Sequence, residues 1–208
     1  MESNLFILAI GFLAQVFFAA RGLVQWILSE RARKVLSPSI FWILSLAGAY
    51  LLCIYGWLRN DFAIVFGQFV SYYVYLWNLN AKGVWQRLPW IVRLVLFATP
   101  LVAICLVIGN AGTFFEQFLN NADVPMWLVV FGSAGQILFT LRFIYQWLYC
   151  RRDGQSQLPA GFWRISLAGA LIILSYGILR LDPVLMVGHG FGLITYIRNL
   201  MLAHNSNR

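Results

Sequence analysis

Seven apolar stretches dominate this chain, and each is close to the length that a helix needs to cross a bilayer. A spanning helix takes about 20 apolar residues, and turn-forming or charged residues such as Ser37-Pro38 and Arg151-Arg152 separate the stretches. The sequence therefore predicts an all-α membrane protein with seven transmembrane helices. The predicted spans cover residues 5–28, 39–58, 62–79, 91–109, 125–149, 161–179 and 183–202.

The composition excludes the soluble and disordered classes of protein. Of the 208 residues, 61% are hydrophobic and 11% are charged, whereas about a quarter of an ordinary soluble domain is charged. So few charged side chains cannot give a domain of this length a polar surface. The aromatic content of 17% is the opposite of a disordered composition.

The positions of the positive charges predict the topology. When the amino terminus is placed outside, the cytoplasmic segments hold eleven of the fifteen Lys and Arg residues. Arg59 and Arg180 then fall on outer connections, while Arg21 and Arg142 lie inside spans. Topology thus accounts for most of the net charge of +8, and no nucleic-acid partner is expected. We expect a multi-pass protein whose amino terminus is outside and whose carboxyl terminus is cytoplasmic.

The chain is an internal duplication. Residues 11–80 align without gaps on 132–201, at a constant offset of 121, and 24 of the 70 aligned positions are identical. The identities include rare polar residues such as Arg21 with Arg142, which chance pairing of leucines would not reproduce. Each copy holds three predicted spans, so the copies share one orientation only if span 91–109 inverts the chain between them. The sequence predicts a 3+1+3 arrangement of parallel repeats, with repeats at 1–80 and 125–208 and a linker at 81–124.

Arg21 and Arg142 are the leading candidates for a functional role. An Arg near mid-membrane costs at least about 2.5–3.5 kcal/mol unless it has a partner or a water-filled cavity. No Asp or Glu lies within a predicted span, so the pair favours an anion, and a guanidinium can hold a phosphate through two parallel hydrogen bonds. Alternatively, both arginines snorkel to the inner surface while Gln pairs join helices. The predicted substrate-binding residues are Arg21, Arg142, Gln15, Gln136, Gln25, Gln146, Asn78 and Asn199.

A second group of repeated charged residues lies at the outer turns. These residues are interpreted as surface turns with local ion pairs, and an outer gate is the alternative. The sequence lacks the GxSxG, HExxH and GxxxxGK[ST] patterns, so no catalytic residue, metal ligand or cofactor is predicted and the chain is not expected to be an enzyme. The possible gate residues are Arg59, Asp61, Arg180 and Asp182.

The repeated pattern resembles that of a known family. The succession G-x3-Q-x5-R-x3-Q-W, P-x2-F-W-x2-S-x2-G, Y-x3-R-x-D and Y-x2-N-L, present in both copies, resembles the lipid A biosynthesis N-terminal domain. That domain is similar to the three-helix units of the PQ-loop and SWEET superfamily. The resemblance implies a bacterial inner-membrane protein linked to lipid A or related envelope glycolipids. Some relatives are fused to lipid-A-disaccharide synthase, whose activity is not expected of a chain that stops at Arg208.

The expected function is transport or flipping, by alternating access, of a phosphate-bearing lipid or a lipid-linked sugar. One alternative is a SWEET-like facilitator of small sugars, although the Pro-Gln dipeptide is absent and Gln and Arg stand in place of a proline hinge. The other alternative is a non-catalytic membrane anchor that docks an envelope glycosyltransferase on the basic segments 29–37 and 151–157. Membrane lipids are expected partners in every case.

Overall fold

A computed structural model of the chain describes residues 2–59, 62–109, 124–152 and 154–205. Within these ranges all regular secondary structure is helical, with seven α-helices and a 3-10 turn at Trp85–Arg87. The α-helices are α1 (Glu2–Ala32), α2 (Ser39–Leu58), α3 (Phe62–Ala81), α4 (Trp90–Gly109), α5 (Met126–Cys150), α6 (Ala160–Leu179) and α7 (Pro183–Asn205).

The helices coincide with the seven predicted spans. α2 has the predicted bounds, and the ends of the other helices differ from prediction by at most four residues. A helix satisfies its own backbone N–H and C=O groups, which apolar surroundings require. The helices that are long and apolar enough to cross a membrane, by length and composition, are Leu5–Ala32, Ser39–Leu58, Met126–Cys150 and Ala160–Leu179. A membrane protein is therefore indicated, and the count of seven spans stays a prediction.

Proline determines where three of the helices begin. Pro38, Pro125 and Pro159 are the N-cap residues of α2, α5 and α6, and all three have extended backbone angles. Proline has no N–H to donate, so it is tolerated at the start of a helix and disruptive in its interior. The carbonyls of Pro38 and Pro159 accept hydrogen bonds from the N–H groups of Phe41 and Phe162, at 3.1 and 2.9 Å.

Six helices form a closed ring that repeats the duplication of the sequence. In the first repeat α2 packs against α1 and α3, and in the second α6 packs against α5 and α7. The repeats meet at two equivalent interfaces, α1 with α7 and α3 with α5. α4 contacts α3, where the Tyr72 hydroxyl donates a hydrogen bond to the carbonyl of Leu96 at 2.9 Å.

The apolar core consists of two clusters, one towards each end of the ring. The basic end carries the described residues 33–38, 151–152 and 154–159 of the connections after α1 and α5, and its cluster is aromatic, with Trp42, Phe143 and Trp163. The opposite end, called here the Asp182 end, has a cluster built around Tyr55 and Tyr176. Polar side chains of the two repeats occupy the level between these clusters, and this division positions the candidate site.

Two equivalent glycines, Gly48 in α2 and Gly169 in α6, lie where these helices pack closely on their neighbours. A Cβ at Gly169 would lie 2.8 Å from Cα of Phe139, whereas a Cβ at Gly48 would lie 2.8 Å from the ring of Phe18. A ring can turn away but backbone cannot, and overpacking costs about 1–3 kcal/mol. We expect Gly169→Ala to lower the unfolding temperature in detergent more than Gly48→Ala, as measured by tryptophan fluorescence. Equal losses would contradict this packing.

Candidate binding site between the repeats

Both predicted arginines are buried inside the ring of helices. Arg21 is 8% exposed and Arg142 is 2% exposed. The Nη1 of Arg21 donates a hydrogen bond to Oγ of Ser45 at 2.8 Å, and the Nη1 of Arg142 donates to Oγ of Ser166 at 3.4 Å. Each serine hydroxyl donates in turn to the carbonyl four residues earlier in its helix, which leaves its oxygen free to accept from the guanidinium. The equivalent serines thus orient the two guanidinium groups in the same way.

Nη1 of Arg142 also donates a hydrogen bond to the hydroxyl of Tyr196 at 3.2 Å, and aromatic rings provide further contacts of both guanidinium groups. The Arg21 guanidinium lies 4.4 Å from the ring centroid of Phe18, and that of Arg142 lies 3.4 Å from the ring centroid of Phe139. Each such contact contributes about 0.5–2 kcal/mol, more when it is desolvated. These rings stabilise the positive charges without neutralising them. Both side chains are held within the bundle and do not extend to its surface.

Two cavities adjoin the arginines, with volumes of about 170 and 50 Å³. The larger cavity also contacts Trp163 and Thr195, and the smaller one also contacts Gln136 and His189. Neither lining includes an Asp or Glu among the described residues, so the site carries two positive charges without a carboxylate. Residues common to both cavities are Gln15, Phe18, Arg21, Arg142, Gly188 and Tyr196.

Gln15 and Gln136 reach the site because a glycine faces each of them across an interface. A Cβ at Gly188 would lie 2.1 Å from Oε1 of Gln15, and a Cβ at Gly67 would lie 1.8 Å from Nε2 of Gln136. Such distances are impossible for real atoms, so glycine permits these close approaches. The two glycines occupy equivalent positions in the repeats, but the sequence alone does not connect them with the glutamines.

The other four predicted binding residues form two pairs between the repeats and do not line either cavity. Gln25 and Asn199 exchange two amide hydrogen bonds, at 2.8 and 3.0 Å. Asn78 and Gln146 do the same at 3.1 and 2.9 Å. All four side chains are fully buried. This arrangement corresponds to the alternative in which amide pairs join helices, and a role for these four residues in binding stays a prediction.

The Asp182 end is closed by contacts that also cross between the repeats. Asp182 is 1% exposed, and its Oδ2 accepts a hydrogen bond from the hydroxyl of Tyr55 at 2.8 Å and lies 3.5 Å from Nη2 of Arg59. Its Oδ1 accepts hydrogen bonds from the N–H groups of Val184 and Leu185 at the start of α7. The prediction of a local ion pair is therefore incomplete for Asp182, because its carboxylate also contacts Tyr55 and Arg59 of the other repeat.

The other two predicted gate residues are Arg180 and Asp61. Arg180 donates a hydrogen bond from Nη1 to the hydroxyl of Tyr176 at 3.3 Å. Asp61 lies outside the described residues. Tyr196 and Trp163 were not among the predicted binding residues, yet both line the larger cavity. Tyr196 is equivalent to Tyr75 in the repeat, and Trp163 to Trp42. This identity between the copies was the sequence signal that could have identified them as site residues.

The comparison with known proteins agrees with the repeat. The lipid A biosynthesis N-terminal domain family matches residues 10–80 and again residues 131–201. The chain belongs to this family. The two matched segments begin one residue before each copy of the duplication and end with it, so each repeat is one family domain. No solved structure shows a significant match to the chain.

The curated proteins that are similar to this chain are named lipid-A-disaccharide synthase. Those from Chlamydia pneumoniae, Chlamydia felis and Chlamydia trachomatis serovar D are 31%, 29% and 30% identical to it, over 96% of this chain. The chain spans about a third of their length, at 34%, 33% and 34%. The similarity links the chain to the lipid A pathway.

A double-mutant cycle on Gln25 and Asn199 tests the amide pair. Asn199→Leu leaves the Gln25 amide with an unsatisfied group, and Gln25→Leu does the same to the Asn199 amide. The double variant should therefore lose less stability than the sum of the two single losses. We expect a coupling of about 0.6 kcal/mol, and at most about 1.7 kcal/mol, which are the average and the maximum found for hydrogen bonds between membrane helices. Equilibrium unfolding in detergent measures it, with the exposed Asn80→Leu as control. Strictly additive losses would contradict the pairing.

Proposed function

We propose that this protein transports or flips a phosphate-bearing lipid or lipid-linked sugar of lipid A-type envelope biosynthesis. The substrate binds between the two repeats, at the level of Arg21 and Arg142. The family and its relatives support the pathway, and the chemistry of the site supports the class of ligand.

The observation that carries the proposal is the pair of buried guanidinium groups beside two cavities whose lining, among the described residues, has no carboxylate. A buried charge is costly unless it is paired, and a phosphate oxygen pair matches the planar donors of a guanidinium. Gln15 and Gln136 add donors and acceptors for uncharged ester or sugar oxygens. A neutral sugar would leave both charges unbalanced, so the charge disfavours a SWEET-like sugar facilitator.

The proposed mechanism is alternating access. Contacts between the repeats close both ends of the site: the amide pairs and the ion pair of Glu30 with Arg198 at the basic end, and the Asp182 contacts at the other end. Rocking of one repeat against the other would break one set of contacts while the other persists. Arg59 and Asp182 would then act as an outer gate, and the described conformation would be the occluded one.

The proposal places the protein in the bacterial inner membrane. All seven helices would span it in a 3+1+3 arrangement, with α4 inverting the chain between parallel repeats. The basic end would face the cytoplasm, because positively charged connections are retained on that side. The amino terminus would therefore be outside and the carboxyl terminus inside.

A second candidate is a non-catalytic anchor for a glycosyltransferase, because the curated relatives are synthases three times as long as the matched region. The basic end would then be the docking surface. Capture of such an enzyme by the wild-type protein, undiminished by replacement of Arg21 and Arg142, would favour this candidate over transport.

Replacing the arginines tests the proposed site. Each of Arg21→Ala and Arg142→Ala should weaken binding of a long-chain polyprenyl phosphate in liposomes about ten- to a hundredfold, because a hydrogen bond to a charged group contributes about 1.5–3 kcal/mol. Arg→Lys variants should lose less, since they keep the charge and lose the paired donors. Fluorescence binding and translocation assays measure both effects.

The matched control is Arg164→Ala, which removes a positive charge from the exposed face of α6. It should bind and translocate the polyprenyl phosphate like the wild type. Unfolding temperatures close to that of the wild type establish that the arginine variants are folded. Unchanged binding in both Arg21→Ala and Arg142→Ala would exclude the proposed site.

A further inference from the structure

The two interfaces between the repeats are equivalent by duplication but unequal in side-chain volume. Phe143 of the α3–α5 interface is 1% exposed, and its ring packs edge-on against Tyr75 with centroids 4.9 Å apart. Its counterpart in the α1–α7 interface is Gly22, where a Cβ would have its nearest neighbour, Thr195, at 3.7 Å. The space that Phe143 fills in one interface is thus left open in the other. The larger cavity lies on this open side, between α1 and α7.

Unpartnered hydrogen-bond donors gather in the wall of this larger cavity. Trp163 Nε1, Thr195 Oγ1 and Arg142 Nε are buried and have no partner among the described residues. The matching tryptophan, Trp42, donates to Ser37 at 3.0 Å, whereas Leu158 replaces that serine in the second repeat. The match of Thr195 is Val74, which has no hydroxyl. Buried donors normally have partners, and the oxygens of a phosphate bound in this cavity would supply acceptors for this set.

The larger cavity reaches the side of the bundle. One lining residue, Val187, is 54% exposed, and Leu23 of α1 and Ile194 of α7 are also exposed and apolar. The contacts between the repeats close the basic end and the Asp182 end. A chain that leaves the cavity between α1 and α7 therefore emerges among apolar side chains that would face the bilayer interior.

We infer that the ligand is a lipid held asymmetrically, with its phosphate against Arg142, Trp163 and Thr195 and its hydrocarbon chain passing out between α1 and α7. This inference rests on the proposed function and adds which of the two equivalent interfaces binds. The small cavity, with Gln68, Gln136 and His189, receives the polar group beyond the phosphate. The glycine at position 22 keeps the exit open.

Thr195→Val tests the phosphate position with little change of shape, and it copies the residue of the other repeat. We expect it to weaken binding of a long-chain polyprenyl phosphate in phosphatidylcholine vesicles about tenfold, and Thr195→Ser to restore it. The matched control is Thr140→Val in the α3–α5 interface. Thr140 is equally buried and also has an unpartnered hydroxyl among the described residues, but it lines neither cavity.

Photolabelling tests the position of the chain in the unaltered protein. A polyprenyl phosphate with a diazirine near its phosphate should label residues of α1 and α7, such as Ala19, Val187 and Phe191, as mapped by mass spectrometry. Excess inorganic phosphate should displace it poorly, because free phosphate lacks the chain. Efficient displacement by inorganic phosphate would show that the chain adds nothing and would overturn the inference.

The outcomes separate this inference from the proposed function. Loss of binding in Arg142→Ala and Thr195→Val, with Thr140→Val unaffected and labels on α1 and α7, supports both. Binding that requires Arg21 and Arg142 but is equal in the two Thr→Val variants, or labels on α3 and α5, overturns the asymmetric site alone. Binding that is indifferent to both arginines overturns the proposed function itself.

Discussion

The burial of two like charges is the constraint on which the rest of this structure depends. Arg21 and Arg142 lie inside a helical ring, each 8% exposed or less, and a buried charge is costly unless it is paired. The protein reduces that cost with serine oxygens and aromatic faces and leaves the net charge in place. The aromatic cluster, the glycines opposite Gln15 and Gln136, and the two cavities are all arranged around these groups.

Much of the fold follows from the sequence because its signals are strong and local. Apolar length predicted the seven helices, and prolines such as Pro38 and Pro159 fixed their starts to within a residue. Identical polar residues at equivalent positions reveal the duplication, and both copies match the family. The closed ring of six helices depends on contacts between distant residues, and for these a single sequence offers only the repeat as a guide.

The site was predictable in its charge and less so in its geometry. Arg21 and Gln25 are four residues apart and therefore share one face of a helix, but this spacing cannot show that Gln25 bonds to Asn199, 174 residues away. A polar residue on an inward face can line a cavity or pair with another helix, and only the partner decides between the two. In the same way, the link from Asp182 to Tyr55 crosses from one repeat to the other, which no local turn pattern reveals.

Duplication followed by divergence explains why one interface is filled and the other open. Gly22 against Phe143, and Leu158 against Ser37, are the substitutions that make the α1–α7 side distinct. Native mass spectrometry of the protein, purified from its own membrane in mild detergent, measures most directly whether a phosphate-bearing lipid binds between the repeats. We expect a bound lipid whose mass and fragments include phosphate, and we expect its loss when both Arg21 and Arg142 are replaced. A bound lipid that lacks phosphate, or equal retention by the double variant, would contradict it.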